Sequence, residues 1–423
     1  MYKSITFLAL TLVTACSIAM PPDNLITKAT SNKSVAPQIA GFNRDEAKKL
    51  LEFCIELNNQ DDRVAHPGEN QYVANLDDWQ IAYDSREGKG TDVKNNGFGP
   101  FNNAWLLLKS KTNPTHYAIA IRGTVAEATS IVNDALVTTL PANAGIEFPK
   151  DRHLPIVFAK TDKAEVHQGF SYGAFILLFD KDRGILKHLR EENLPDNATL
   201  FITGHSQGAA IATLIHSFLY YAKNDTTDRY RLGLETKKVQ LKSYFFAQPK
   251  PGNLQYAMDL AHIAGQETSA FAINNDLDPV PRVPLSIQTP TDAVGDVISE
   301  NKNKGNFAQW FLAGGLDLVF KKIMDTRNSI AAKARSETAE KLNSHYDKNG
   351  GNAADHLDMT YFKTDEKAQP KPAGSMNYTL SGQLVPVFGL VGGGNLYKPS
   401  SNSPEWLLQH HATTYRVLVD KQL

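Results

Sequence analysis

The sequence predicts an α/β fold in which a mostly parallel sheet has helices on both faces. Short apolar runs of strand length alternate with stretches of helix length, and turn residues separate them. The composition suits a folded domain, because 42% of the 423 residues are hydrophobic and 21% are charged. The formal net charge of −1 provides no basic field, so we expect no nucleic-acid partner.

The first residues have the pattern of an export signal. Residues 1–15 join a weakly basic start to an apolar run, Ile5 to Ala15, which is too short to span a bilayer. The run ends in Val13-Thr14-Ala15-Cys16, which resembles the lipobox of bacterial lipoproteins. This resemblance implies a lipid on Cys16 that anchors the protein to a membrane, a polar tether over residues 16–41, and export to the outer membrane or cell surface. An ordinary signal peptide, with secretion, is the alternative.

The elements of the remaining domain, residues 42–423, follow in order. A helix is expected to begin near Asn43, and Ala104 to Thr124 is typical of strand, turn and strand, with Asn113-Pro114 at the turn. A long helix is expected from about Ser171. The later predicted elements are the strand "ATLFITG", a helix from Gln207 to Tyr221, the strands "VQLKSYFFAQ" and "TSAFAINN", a helical insertion over about residues 288–375, and a terminal strand "TTYRVLV".

A serine between two glycines stands where a predicted strand meets a predicted helix. The segment is Gly204-His205-Ser206-Gln207-Gly208. A serine hydroxyl becomes a useful nucleophile only when it is exposed to substrate, close to a base and close to donors that stabilise an oxyanion. A tight strand-to-helix turn gives that exposure and requires small neighbours. The pattern therefore favours Ser206 as a nucleophile over an incidental serine in a glycine-rich turn.

A base and an acid are expected after the serine. In chains with this kind of turn the order is serine, acid, histidine. Asp276 and Asp278 follow a predicted strand, and the prolines after Asp278 make that loop stiff. Among the later histidines, His410 and His411 precede the predicted terminal strand, whereas His345 and His356 lie in the polar insertion.

Several separated segments resemble the class 3 lipase family, the fungal-lipase-like α/β hydrolases. They lie between Ala104 and Pro284 and occur in the family's order. The resemblance implies the α/β-hydrolase fold, with the helical insertion before the C-terminal histidine. The segments are "AIAIRGT", "VHQGF", "ITGHSQGAAIA", "FFAQPKPGN" and "NNDLDPVPRVP".

The resemblance also implies a role for individual residues. Asp278 is preferred to Asp276 because it opens the family's Asp-x-Val-Pro-Arg-x-Pro pattern, and His411 fits the His-x-x-x-Tyr pattern, with His410 as the second choice. The stretch after Thr124 is where the family carries its lid, although a packing helix is equally compatible with it. The implied assignments are Ser206 as nucleophile, Asp278 as acid, His411 as base, and Thr124 and Gln207 as donors to the oxyanion.

These residues predict a serine hydrolase that cleaves carboxylic esters of lipids through an acyl-enzyme. Two alternatives remain open at this point: transfer of the same acyl group to an alcohol, and a surface lipoprotein that uses the scaffold only for binding. No Cys/His cluster with zinc spacing and no phosphate-binding loop is present in the sequence, so we expect no metal and no cofactor.

Overall fold

The computed structural model describes most of the chain from Ile39 to Leu423, which forms one unit. Cys16 and Thr124, both singled out by the sequence analysis, lie outside the described residues, as does most of the stretch 288–375. The described ranges are 39–58, 72–86, 96–123, 138–148, 152–266, 268–286, 353–362, 376–390 and 405–423, with single residues and short helical runs between 325 and 346.

Strands and helices alternate through the unit, as the sequence predicts. The strands are β1 (Trp79–Asp84), β2 (Trp105–Ser110), β3 (His116–Ile121), β4 (Thr139–Pro141), β5 (Ile146–Phe148), β6 (Arg152–Leu154), β7 (Glu165–His167), β8 (Thr199–His205), β9 (Gln240–Phe246), β10 (Gly252–Asn253), β11 (Ser269–Asn275), β12 (Tyr378–Thr379) and β13 (Gln383–Val387). The helices are α1 (Arg44–Leu57), α2 (Gln168–Phe179), α3 (Ile185–Glu192), α4 (Gln207–Lys223), α5 (Leu254–Gln266), α6 (Ala353–His356), α7 (Glu405–His410) and α8 (Ala412–Gln422).

The central sheet has seven strands in the order β1-β2-β3-β8-β9-β11-β13. The five strands from β3 to β13 pair in parallel, and β1 and β2 add an antiparallel edge. A smaller sheet has the order β12-β10-β7-β4, and β5 pairs with β6. The fold is therefore of the α/β-hydrolase type, with a mostly parallel sheet flanked by helices, which confirms the predicted fold class.

Side chains of the parallel strands alternate between two apolar layers, as a strand requires. In β8, Leu200 and Ile202 join the layer under α2 and α4, whereas Phe201 joins the layer under α1 and α8. Both layers are fully closed to water over their central residues. The sheet is consequently covered on both faces, which is why its parallel strands are almost continuously apolar.

Most of the predicted elements lie where the sequence places them, and one is divided. Asn43 caps α1, since its side chain accepts hydrogen bonds from the amides of Asp45 and Glu46. The single long helix expected from Ser171 is wrong, because the chain turns between α2 and α3. Asp180 ends α2, and its carboxylate accepts the amide of Arg183.

The predicted terminal strand is wrong, and its residues form helix α8. Tyr415, Leu418 and Val419 are buried on one side of α8 and pack with residues of α1. An ion pair from Arg416 to Glu52, 2.7 Å long, joins the same two helices. Tertiary packing thus outweighs the weak strand preference of the valines.

The stretch 288–375 separates two strands that are neighbours in the sheet. β11 pairs in parallel with β13, with Phe271 opposite Gln383 and Asn275 opposite Val387. The chain therefore leaves the sheet after β11 and returns to the next position in it. Within the described ranges, no helix combines the length and the apolar character needed to cross a membrane.

Candidate active site

Ser206 occupies a strained turn between β8 and α4. Its φ of 60° and ψ of −134° lie in a region that non-glycine residues rarely adopt. The turn requires glycine at both flanking positions, because neither position has room for a side chain. A Cβ on Gly204 would stand 2.3 Å from the carbonyl oxygen of Gly208, and one on Gly208 would stand 2.3 Å from that of Ile121. Strand end, serine and helix start are therefore pressed together, as the sequence pattern predicts.

The segment that leads to Thr124 passes directly beside Ser206. Gly123 is so close that a Cβ there would lie 2.8 Å from the carbonyl oxygen of His205 and 3.3 Å from Cβ of Ser206. Its amide donates to the side chain of Asn58 at 3.1 Å, which fixes the end of this segment.

The structure brings one imidazole between Ser206 and a carboxylate. Nε2 of His410 is 2.9 Å from Oγ of Ser206, and Nδ1 of His410 is 2.9 Å from Oδ2 of Asp278. All three residues are at most 7% exposed. With Nδ1–H donated to the carboxylate, Nε2 is left as an acceptor for the serine proton, which is the arrangement that a general base needs.

Further hydrogen bonds fix the carboxylate of Asp278. Its Oδ1 accepts the amide of Val280 at 2.9 Å, and its Oδ2 accepts the hydroxyl of Tyr415 at 2.8 Å. Burial and the adjacent carboxylate raise the pKa of Tyr415 well above its usual value, so the phenol keeps its proton and remains a donor. Asp276, the alternative acid, instead accepts the amide of Gly389 at 2.7 Å.

His411, which the sequence analysis assigned as the base, does not reach Ser206. It is the N-cap of α8, where Nδ1 of its ring accepts the amide of Thr413. Burial, more than the neighbouring imidazole of His410, lowers the pKa of His411 to about 3. The expected base is therefore corrected to His410, the second choice. The reason is that α7 ends at His410 and α8 begins at Ala412, so two adjacent side chains point to different places.

The first turn of α4 directly follows Ser206. Gln207 begins the helix, and the amide of Ser206 is already used, since it donates to the carbonyl of Phe246 at 3.0 Å. A helix N-terminus carries partial positive charge and presents backbone amides to an anion. Gln207, one predicted donor, thus stands at the N-terminus of this helix next to Ser206, whereas Thr124, the other predicted donor, lies outside the described residues.

Three residues of the site were missed by reasoning from the sequence. Tyr415 was quoted only as part of a pattern, although its hydroxyl binds Asp278 and accepts the amide of Asn275 at 3.0 Å. Nε2 of His205 donates to the carbonyl oxygen of His410 at 2.8 Å. The side-chain amide of Asn275 donates to the carbonyl oxygen of Gln409 at 3.0 Å. Each lies beside a recognised motif, but their contacts join segments far apart in the chain.

Nothing in the described part of the chain resembles a metal centre. A search of those residues for three or more His, Cys, Asp or Glu side chains able to hold one ion finds none. Cys54, the free cysteine of this part, is buried, and burial raises the pKa of its thiol to about 12. Such a thiol is a small apolar side chain of the core and not a nucleophile.

Comparison with known proteins places the site in a recognised family segment. Residues 118–287, which include Ser206 and Asp278, match the family described as lipase (class 3). No curated protein gives a significant match to the chain.

Solved structures similar to this chain include three fungal lipases. A triacylglycerol lipase from Penicillium expansum is 16% identical and covers 56% of this chain and 71% of its own, with a TM-score of 0.37. A mono- and diacylglycerol lipase from Aspergillus oryzae is 20% identical and covers 59% and 81%, with a TM-score of 0.35. A triacylglyceride lipase from Rhizomucor miehei is 17% identical and covers 57% and 74%, with a TM-score of 0.35.

The family match spans the strained turn at Ser206 and the proline-rich loop that follows Asp278. On these findings, the chain is a carboxylic ester hydrolase with a core similar to that of class 3 lipases.

Proposed function

We propose that this protein hydrolyses carboxylic esters of lipids with Ser206 as nucleophile, His410 as general base and acid, and Asp278 as the orienting carboxylate. The observation that carries the proposal is the pair of 2.9 Å contacts from the two ring nitrogens of His410 to Ser206 and Asp278. In acyl transfer by such a triad, the serine attacks, the imidazole carries the proton and the carboxylate orients the imidazole.

The reaction proceeds in two halves. Oγ of Ser206 attacks the ester carbonyl while Nε2 of His410 takes its proton, and the carbonyl oxygen becomes an oxyanion. The imidazolium then gives the proton to the leaving alcohol, and an acyl-enzyme remains on Ser206. Water, deprotonated by His410, attacks the acyl carbon, and the proton returns to Ser206 as the fatty acid leaves.

The oxyanion needs backbone donors beside Ser206. We propose the amide of Gln207 as one donor and that of Thr124 as the other. Gln207 immediately follows Ser206 in the chain. Gly123, which precedes Thr124, lies against Ser206. Removal of one such donor costs roughly 100- to 1,000-fold in rate.

The decisive experiment compares Ser206→Ala with a matched serine variant. Ser217→Ala is the control, because Ser217 lies in the same helix, is fully buried and binds the hydroxyl of Tyr256 at 3.0 Å, away from the site. We expect Ser206→Ala to fold and to lose more than about 1,000-fold in kcat on p-nitrophenyl esters, while Ser217→Ala keeps its kcat. Turnover retained by Ser206→Ala refutes the proposal.

Two further arms separate the alternatives. A fluorophosphonate probe should label wild type at Ser206 and leave Ser206→Ala unlabelled. If the protein is only a binding scaffold, the probe should label neither wild type nor the variant. Products analysed with an added alcohol distinguish hydrolysis, which yields the free acid, from acyl transfer, which yields a new ester.

A panel of triacylglycerol, phospholipid and short-chain esters, with and without micelles, tests whether the substrate is a lipid. An equal preference for a short soluble ester contradicts the proposed lipid substrate.

We also propose that the protein is an exported lipoprotein anchored through Cys16. Support comes from the apolar run before Cys16 and the lipobox-like Val13-Thr14-Ala15-Cys16. In a bacterial host, wild type should incorporate labelled palmitate and enter the detergent phase, whereas Cys16→Ala should do neither. Palmitate incorporation by Cys16→Ala contradicts Cys16 as the lipidated residue, and the absence of palmitate from wild type favours an ordinary signal peptide.

A further inference from the structure

The segment that carries the base ends in three carbonyl groups, and each accepts a hydrogen bond from a side chain. The last carbonyls of a helix have no partner within the helix, so they must be satisfied from outside. The three pairs are Leu408 with the hydroxyl of Thr414 at 2.7 Å, Gln409 with the amide of Asn275 at 3.0 Å, and His410 with Nε2 of His205 at 2.8 Å.

Two of these donors come from the strands that also hold the other catalytic groups. His205 is the last residue of β8 and directly precedes Ser206. Asn275 is the last residue of β11 and lies three positions before Asp278. The ends of β8 and β11 therefore hydrogen-bond the end of α7. The same two strand ends lead into Ser206, the proposed nucleophile, and Asp278, the proposed acid.

We infer that His205 is a positioning residue, which sets the imidazole of His410 against Ser206 by donating its Nε2–H to the carbonyl oxygen of His410. The inference rests on the proposed function. The inference extends that function by assigning a positioning role to a second histidine, which does not contact the substrate. The carbonyl group that His205 binds and the imidazole that contacts Ser206 both belong to His410. A shift of this carbonyl therefore moves the imidazole relative to Ser206.

The surroundings of His205 suit a permanently neutral donor. Its side chain is buried, and its ring centroid lies 4.8 Å from that of His410 and 5.8 Å from that of Tyr415. Burial first, and then the nearby imidazoles of His410 and His411, hold its pKa well below the usual range. With Nε2–H donated, Nδ1 carries the lone pair, and among the described residues no group hydrogen-bonds it. A neutral ring adds no charge beside the imidazolium that forms during turnover.

Loss of the donor would leave the carbonyl of His410 buried and unpaired. An unsatisfied buried acceptor is costly, so the end of α7 would shift toward another donor or toward water. Displacement of a catalytic group by about 1 Å can cost roughly 100-fold in rate. The expected signature is a fall in kcat with little change in KM, because binding of the ester does not depend on this hydrogen bond.

Two amide variants of His205 test this assignment. Gln places its side-chain NH₂ near the position of Nε2, whereas Asn places it near Nδ1, too short to reach the carbonyl. We expect His205→Asn to lose about 10- to 100-fold in kcat and in the rate of fluorophosphonate labelling, with KM within about 3-fold. His205→Gln should recover to within about 5-fold of wild type.

The matched control is His216, a second fully buried imidazole that is remote from Ser206. Its nitrogens contact Ser243 at 2.6 Å and Thr268 at 3.1 Å. His216→Asn should lower the unfolding temperature as His205→Asn does, but should keep kcat per titrated site. Activities are divided by the number of fluorophosphonate-reactive sites, so that misfolded protein does not contribute.

The outcomes separate this inference from the proposed function. Equal kcat for His205→Asn and wild type, or an equal loss in His205→Asn and His205→Gln, overturns the positioning role. A loss in His216→Asn as large as that in His205→Asn also overturns it, since destabilisation alone would then account for the effect. If instead Ser206→Ala stays active, the proposed function itself fails.

Discussion

Replacement of Tyr415 by Phe removes one oxygen from the most buried part of the site. The hydroxyl donates to Oδ2 of Asp278 at 2.8 Å and accepts the amide of Asn275 at 3.0 Å, and the residue is fully buried. The variant keeps the ring and its packing on α1. The change therefore isolates two hydrogen bonds, one of them to a carboxylate.

The magnitude follows from those two bonds. A hydrogen bond to a charged group contributes about 1.5–3 kcal/mol, and a buried amide left without an acceptor costs about 1–3 kcal/mol. The two terms share one oxygen and are not additive, so we expect the free energy of unfolding to fall by about 2–4 kcal/mol. Complete loss of the acid's function costs about 10⁴-fold in a related triad. Asp278 keeps its bonds to His410 and Val280, so we expect kcat to fall by only about 10-fold.

Urea unfolding and steady-state kinetics on a soluble ester measure both effects, with Tyr256→Phe as the control. The hydroxyl of Tyr256 is also fully buried, but it contacts Ser217 at 3.0 Å, away from the site. That variant should lose about 1 kcal/mol and no activity. If Tyr415→Phe matches Tyr256→Phe in both measurements, the reasoning about the Asp278 carboxylate is refuted.

Three other predictions concern the base, the turn and the response to acid. His411→Asn should keep kcat within about 3-fold, since Asn is a good N-cap, whereas His410→Asn should lose more than about 1,000-fold; loss in both by the same kinetic assay would restore His411 as the base. Gly208→Ala forces a Cβ to within 2.3 Å of the carbonyl oxygen of Ile121, so we expect active-site titration to find almost no reactive serine, and full titration would contradict the clash. Burial lowers the pKa of His216 to about 3 from an ordinary 6.5, so between these pH values the unfolded chain binds more protons than the folded protein. The free energy of unfolding is therefore highest above pH 6.5 and falls as the pH drops. In urea unfolding, His216→Gln should lose about 2 kcal/mol less than wild type between pH 7.5 and pH 5.0, and equal losses would contradict the assigned shift.

The local parts of the site could be predicted from the sequence because their causes are local. A strand, a glycine, a serine and a helix are consecutive in the chain, so Ser206 and its turn follow from neighbouring residues alone. The same holds for Asp278, since the prolines after it fix its loop. Strands β2, β3, β8, β9 and β11 were also predicted near their observed positions for this reason.

The base could not be chosen from the sequence because its position depends on tertiary packing. His410 and His411 are adjacent, and only the break between α7 and α8 decides which ring faces Ser206. That break depends on α8 being helical, which in turn depends on its packing against α1. The contacts of His205 and Tyr415 share this origin, since each joins residues more than 130 positions apart.

The packing of α8 against α1 has a consequence for the protein during its synthesis. During synthesis, the ribosome releases α1, the serine turn and the acid loop long before it makes α7 and α8. Under the proposed mechanism, the nascent chain at that stage carries Ser206 without His410, its proton acceptor, and is inactive toward esters. On the same mechanism, activity requires α8 to pack against α1, where the Arg416–Glu52 ion pair joins them. We therefore expect proteolytic removal of α7 and α8 to abolish ester hydrolysis even though Ser206 remains in the chain.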